Sequence, residues 1–332
     1  MTHIVVQAYL EDVRNLNNGS EIIINNVCTK EATFKSFTLE QAAAYAANRG
    51  KAYPKVLYET ILNYHGGETN QFFDVGTGPG TVVFDLLPHF EKSFGTDAGT
   101  EMITQAKSDA SRLGVEERTE FAVCPAEESD TVFQGEKMDL VTVAMAAHWF
   151  DMPKFYEAVG KILKPGATLA MWTCSSLHVH PSTPNHEKLE EILQHLETNM
   201  LAPYETPGNV LSRMAYDGLA LPWDNEASSG LFQKDSFERK DWDRGGVPST
   251  PPTPGEQFGP FVMNNRSGPV EYLAKTLGSA SMVIRWREAN AEKAHTEEDP
   301  INITVTRLKE ALEGEENFVA SPSLSLLLLR RA

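Results

Sequence analysis

The sequence of 332 residues predicts an α/β fold, a doubly wound, mostly parallel seven-stranded sheet with helical cap insertions. Three observations carry this expectation. Short strand-like runs alternate with helix-forming runs over the first half of the chain, which implies parallel strands joined by right-handed crossovers. The run Phe72-Phe73-Asp74-Val75-Gly76-Thr77-Gly78-Pro79-Gly80 leads from strand-like residues through three glycines into a helix-like stretch. The chain closes on an apolar, strand-sized run, Leu324 to Leu329, interrupted only by Ser325.

The elements follow in order. Residues 1–35 read as an N-terminal extension, with apolar Ile22 to Ile24 flanked by the turn signals Asn17-Asn18-Gly19 and Asn25-Asn26, the pattern of a hairpin. Residues 36–332 form the main domain, with cap insertions mainly within 176–320. Thr38 N-caps an Ala-rich helix to Ala47. Pro54 opens a second helix to Tyr64, with Val56, Leu57, Ile61 and Leu62 at helical spacing. Strand Gln71–Val75 precedes helix Thr81–Leu87. Strand Ser93–Thr96 ends at Asp97 and precedes helix Thr100–Leu113. Strands Phe121–Cys124 and Met138–Ala144 follow, the latter apolar enough to be buried on both faces. Helix Pro153–Leu163 is closed by Lys164-Pro165-Gly166, and strand Thr168–Thr173 comes next.

After Ser175 the alternation stops. Asn185–Met200 reads as a helix. Residues 201–268 are rich in Pro and Gly, and Ser249-Thr250-Pro251-Pro252-Thr253-Pro254-Gly255 reads as surface loop. Phe237–Trp242 is the sixth strand, Val270–Ala291 and Ile303–Leu312 are helices, and Leu324–Leu329 is the closing strand. The Met282 to Trp286 stripe reads as helix packing.

Composition narrows the function classes. Apolar residues make up 41% and charged residues 23%, ordinary values for a globular protein. The net charge of −17 repels phosphate backbones and anionic membranes, so neither nucleic acid nor membrane is an expected partner. A small-molecule ligand remains compatible with it. The three cysteines, Cys28, Cys124 and Cys174, are far apart and suit a reducing compartment. No run reaches transmembrane length and no signal segment is apparent, so a cytoplasmic protein, monomer or homodimer, is expected. His178, His180 and His186 lack zinc-ligand spacing and read as loop histidines, so no metal is expected.

The glycine loop carries the chemistry. A dinucleotide fingerprint would place its third glycine at position 81, which is Thr81; here the third glycine is Gly80. Together with Asp74 this spacing resembles motif I of class I S-adenosylmethionine-dependent methyltransferases, which implies a Rossmann-like fold and S-adenosylmethionine as cofactor, with S-adenosylhomocysteine as product. Ala147-His148-Trp149-Phe150-Asp151, Tyr45-Ala46-Ala47-Asn48-Arg49 with Tyr53-Pro54, and Pro203-Tyr204-Glu205-Thr206-Pro207-Gly208 with Arg213 narrow the resemblance to the fungal trans-aconitate and cantharidin-resistance methyltransferases.

The resemblance and the residue chemistry together assign the cofactor site. Gly76, Thr77, Gly78 and Gly80 let the backbone approach the ligand. Asp74 faces the ligand's ammonium. Asp97, 21 residues after Gly76, is placed to accept the ribose hydroxyls; as a bare residue it reads equally as a helix cap. Met102 packs on the adenine, Ala126 and Glu127 line it where Pro125 replaces the usual acid, and Tyr45 and Ala144 complete the site. For the acceptor, a carboxylate is already ionised and needs cationic clamps rather than a base. Arg49 is the first such clamp, with Tyr53, Trp149, Tyr204, Arg213 and Arg285 as further substrate contacts. A hydroxyl or thiol acceptor would instead need His148 as base. These readings leave three functions open: methylation of a small carboxylic acid such as trans-aconitate, O-, N- or S-methylation of a secondary metabolite, or ligand binding without transfer.

Overall fold

A computed structural model describes residues 53–263, 266–315 and 318–332. The expected extension, the helix from Thr38, Tyr45 and Arg49 lie outside these residues. The first described helix, α1 (Lys55–His65), begins after Pro54 and ends at Gly66, whose left-handed backbone stops it. It buries Leu57 and Ile61 against the sheet.

The sheet runs in the order β3-β2-β1-β4-β5-β8-β6. Its first five strands are β1 (Gln71–Val75), β2 (Lys92–Asp97), β3 (Thr119–Val123), β4 (Met138–Ala144) and β5 (Leu163–Val179), all parallel to one another. β6 (Phe232–Trp242) and β8 (Phe318–Arg331) complete the seven-stranded path, with β8 antiparallel to both β5 and β6. A short eighth strand, β7 (Arg266–Gly268), pairs with β8 off this path. Strand order reverses between β1 and β4, so a crevice opens at their carboxyl ends, the usual ligand position in such sheets.

Alternation along each strand builds two cores. Phe73, Val141 and Leu169 face one layer, with α4 (Met152–Ile162) against them. Phe72, Leu140, Ala170 and Trp172 face the other, under α1, α2 (Thr81–Leu86) and α3 (Thr100–Leu113). Phe72 and Phe73 are fully buried on opposite faces, and truncation of either to Ala should cost about 3–5 kcal/mol.

β5 and β8 are longer than their apolar runs suggest. They continue past a bulge at Cys174 to Leu177 as a paired ribbon, Leu177 to Val179 against Ala320 to Pro322. This ribbon carries the cap: α5 (His186–His195), α6 (Pro207–Arg213), α7 (Val270–Leu277), α8 (Ser281–Ala289) and α9 (Pro300–Leu312). Val179, Leu189, Leu193, Leu308, Leu312 and Phe318 form its own core. Two sequence expectations change here. The helix expected over Val270–Ala291 breaks into α7 and α8, because the chain turns at Gly278, Ser279 and extended Ala280. The helix expected to reach Met200 is α-helical only to His195 and ends in a π turn, Leu196–Met200.

Candidate active site

The loop after β1 is shaped by three glycines in the left-handed region, Gly76 (φ 71°), Gly78 (φ 54°) and Gly80 (φ 87°). Two of them are needed for space as well. A Cβ on Gly76 would stand 2.6 Å from Ala146 Cβ, and one on Gly80 would stand 2.9 Å from the Phe84 ring. Gly78 differs, since a Cβ there would meet nothing within 4 Å. The loop therefore presents open, side-chain-free backbone at its centre, as close approach of a ligand requires.

Asp97 holds that loop. Its Oδ2 accepts from the Gly78 N–H at 2.9 Å and its Oδ1 from the Gly99 N–H at 2.8 Å. Both bonds are charge-assisted, so the carboxylate ties the end of β2 to the glycine turn. Gly99, not Asp97, is the cap of α3. Met102 lies buried in the first turn of that helix. Ala126 is buried beyond β3, and its carbonyl accepts from Ser129 Oγ. Glu127 Oε1 accepts from the Asp151 N–H at 2.8 Å, which fastens this segment to the start of α4.

Asp74 is the most perturbed acid of the site. It is fully buried, and Oδ1 accepts from the Thr142 hydroxyl at 2.5 Å while Oδ2 has no hydrogen-bond partner. Burial pushes its carboxyl up to about 7; the Thr142 and Thr77 hydroxyls oppose this in part, and the charge of Asp97 adds to it. Thr77 Oγ1 is near enough to favour the ionised form yet lies outside hydrogen-bond geometry. A buried acid with one orphaned oxygen, beside open glycine backbone, fits the ammonium and sulfonium end of S-adenosylmethionine.

On the rim of the crevice, β4 ends at Ala144, Met145 takes a left-handed backbone (φ 55°), and a short turn, Ala147–Trp149, follows. His148 is buried there, its Nδ1 3.0 Å from the Tyr216 hydroxyl and its ring 4.4 Å from the Trp149 ring. Tyr216 carried no sequence signal. It and Ala215 are consecutive non-glycine residues at positive φ, 63° and 55°, a strained pair that follows α6. Burial drives the Tyr216 phenol well above its usual pKa, with the Thr173 hydroxyl opposing, so it stays neutral. Thr173 Oγ1 is 2.7 Å from Ser212 Oγ, which joins β5 to α6. Gly208 presses on Trp149: a Cβ there would lie 2.4 Å from the indole.

The expected clamps of the cap are engaged with protein groups. Arg213 forms a two-pronged pair with Glu205, at 2.9 and 3.0 Å, both side chains largely buried. Arg285 donates to the Tyr204 carbonyl at 2.8 Å and to Asn209 Oδ1 at 2.5 Å. The Tyr204 hydroxyl accepts from Asn290 at 3.0 Å. These contacts brace the cap, so Arg213 and Arg285, expected as substrate contacts, are also cap-building residues. Tyr53 sits edge-on to Trp172, ring centroids 5.3 Å apart, above the same face as Asp74. His178 lies on β5, not in a loop, bound to Glu190 at 2.6 Å, and His180 contacts Ser182 and the Gly259 carbonyl. Among the described residues no group of three candidate metal ligands occurs, and no helix is long and apolar enough to cross a membrane.

Comparison with known proteins agrees with this layout. Residues 67–225 match a family model described as a methyltransferase domain. CRG1 of Saccharomyces cerevisiae, named a probable S-adenosylmethionine-dependent methyltransferase, is 27% identical over 130 residues, 39% of this chain and 44% of that one. The chain thus spans less than half the length of this relative. Methyltransferase cfoB of Aspergillus candidus is 24% identical over 279 residues, 80% of this chain and 85% of that one. A solved structure named "Putative Type II Methyltransferase", from Anaeromyxobacter dehalogenans, superposes with a TM-score of 0.56 at 20% identity, covering 85% of this chain and 96% of that one.

Proposed function

This chain is built on a class I S-adenosylmethionine-dependent methyltransferase domain, and from that premise we propose that it methylates an oxygen of a small organic molecule. When bound, S-adenosylmethionine supplies an electrophilic methyl group. The rest of the reaction falls to the residues of this chain. Gly76 to Gly80 and Asp97 would hold the nucleoside end, and Asp74 the ammonium. Trp149 and Tyr53 would help keep water out and align the acceptor, which is most of what an in-line displacement needs.

The observation that carries the choice of oxygen is His148, fixed at the end of β4 by Tyr216. In the tautomer with its proton on Nδ1, the imidazole donates to the Tyr216 oxygen, and Nε2 becomes the base that takes the proton of an acceptor hydroxyl. The neutral phenol orients the ring without competing for that proton. A phenol or enol is the best-matched acceptor, since its own acidity makes one imidazole sufficient.

A second reading is carboxyl methylation of a small acid such as trans-aconitate. The segment Ala147 to Asp151 and the Pro203 to Gly208 segment favour it through their resemblance. In that case Arg49 and Tyr53 would take the carboxylate, because Arg213 and Arg285 already hold the cap. Transfer of labelled methyl to a panel of phenols, thiols and di- and tricarboxylates, followed by mild base, separates the readings. Base-stable label on phenols supports the first, base-labile label on acids the second. No transfer to any class would refute both.

A further inference from the structure

Asp74 Oδ2 is not the only orphaned polar atom on its face of the sheet. The indole Nε1 of Trp172 is wholly buried, on a side chain with 0% exposure, and has no hydrogen-bond partner. A buried N–H without an acceptor is costly and calls for a reason. The two orphans share one face of the sheet. Asp74 pairs in register with Thr142 on β4, Thr142 with Ala170 on β5, and Ala144 with Trp172. Residues in register on parallel strands point to the same side, which here is the side under α1 and α2. Tyr58 spans both. Its ring lies 6.5 Å from Trp172, its hydroxyl donates to Asp85 on α2 at 2.6 Å, and it feels the charge of Asp74. Tyr53 roofs the indole from the start of the same helix.

One orphan is an acceptor with negative charge and the other is a donor. An α-amino acid group presents the complements of both, an ammonium and a carboxylate. We propose that Trp172 is a cofactor-binding residue, its indole N–H donating to the carboxylate of the cofactor's amino-acid end while Asp74 Oδ2 accepts from the ammonium. The assignment rests on S-adenosylmethionine as cofactor and is independent of the acceptor. It also gives the buried, unpartnered indole N–H an acceptor.

Equilibrium binding by calorimetry tests it with three probes: S-adenosylhomocysteine, decarboxylated S-adenosylmethionine, and 5′-methylthioadenosine, which lacks the amino-acid end. Trp172→Phe should weaken S-adenosylhomocysteine about tenfold or more and leave the other two unchanged, because only the first carries the carboxylate. Asp74→Asn should weaken the first two and spare the third. Equal weakening of all three probes by Trp172→Phe, or of none, overturns the proposal; the first would make Trp172 a packing residue, the second would mean that its N–H is satisfied on the face of Tyr53. If the wild type binds none of the probes, the cofactor reading fails and this assignment with it. A second measurement needs no core variant. In protein labelled with 15N-tryptophan, one of the five indole N–H signals should move on adding S-adenosylhomocysteine and stay in place with methylthioadenosine. Five unmoved signals overturn the proposal.

Discussion

Cofactor binding should depend on pH through one carboxyl group, and Asp74→Asn should abolish that dependence. Burial holds Asp74 near a pKa of about 7 in the unliganded protein. An ammonium placed against Oδ2 favours the ionised form and lowers the value in the complex. Below pH 7 the unliganded site therefore carries a proton that the complex must lose, so affinity falls as pH falls. With a pKa of 7, about nine-tenths of the sites are ionised at pH 8 and about one-tenth at pH 6. The expected loss between those values is about tenfold, about 1.4 kcal/mol, and it approaches tenfold per further unit. Titration calorimetry of S-adenosylhomocysteine from pH 5.5 to 8.5, in buffers of different ionisation enthalpy, reads both affinity and protons released. Asp74→Asn should give a flat profile and release none. A flat wild-type profile, or the same slope in both proteins, refutes the reasoning. The same raised value has a consequence for stability. The unfolded chain ionises Asp74 near its ordinary pKa while the folded one resists, so stability is lost as pH rises from about 4 to about 7, at most about 1.4 kcal/mol per unit. Thermal stabilisation by the cofactor should accordingly be larger at pH 8 than at pH 6.

Four other outcomes follow from the geometry. Asp97→Ala removes one charge-assisted bond to Gly78 of the glycine turn and one to Gly99 before α3, together with the proposed ribose acceptor, and should weaken S-adenosylhomocysteine by about 100-fold by calorimetry. Tyr216→Phe should lower kcat on a phenolic acceptor by about 10- to 100-fold with little change in the cofactor Kd, and shift the pH profile of kcat; loss of cofactor binding instead would make Tyr216 purely structural. Gly208→Ala forces a methyl into the Trp149 ring and should destabilise the protein by about 1–3 kcal/mol in urea unfolding. Arg213→Met strands the buried Glu205 carboxylate and should cost about 3–5 kcal/mol, most of it restored by adding Glu205→Leu; an unchanged stability with a raised acceptor KM would return Arg213 to the substrate.

What the amino-acid order determined by itself was local. The glycine loop, Asp74 at the end of β1 and Asp97 at the end of β2 were legible, because each depends on a few consecutive backbone angles and on one strand-to-helix step. The alternating strands and helices up to Thr173 were legible for the same reason, since period and turn residues specify them within windows of ten residues. The resemblance of Ala147 to Asp151 placed His148 at the rim. Only the tertiary structure decided what these residues touch. Asp74 meets Thr142, and His148 meets Tyr216, each across 68 residues of chain. Trp172 reads in sequence as one more apolar residue of β5, and its unpartnered N–H exists only once α1 closes over it. Arg213 and Arg285 look like anion clamps in isolation; folding brings Glu205, Asn209 and the Tyr204 carbonyl against them and engages the Nε and one Nη of each guanidinium. Hydrogen-bond partners and burial are set by long-range packing, and a one-dimensional pattern holds no record of which distant carboxylate or hydroxyl will arrive.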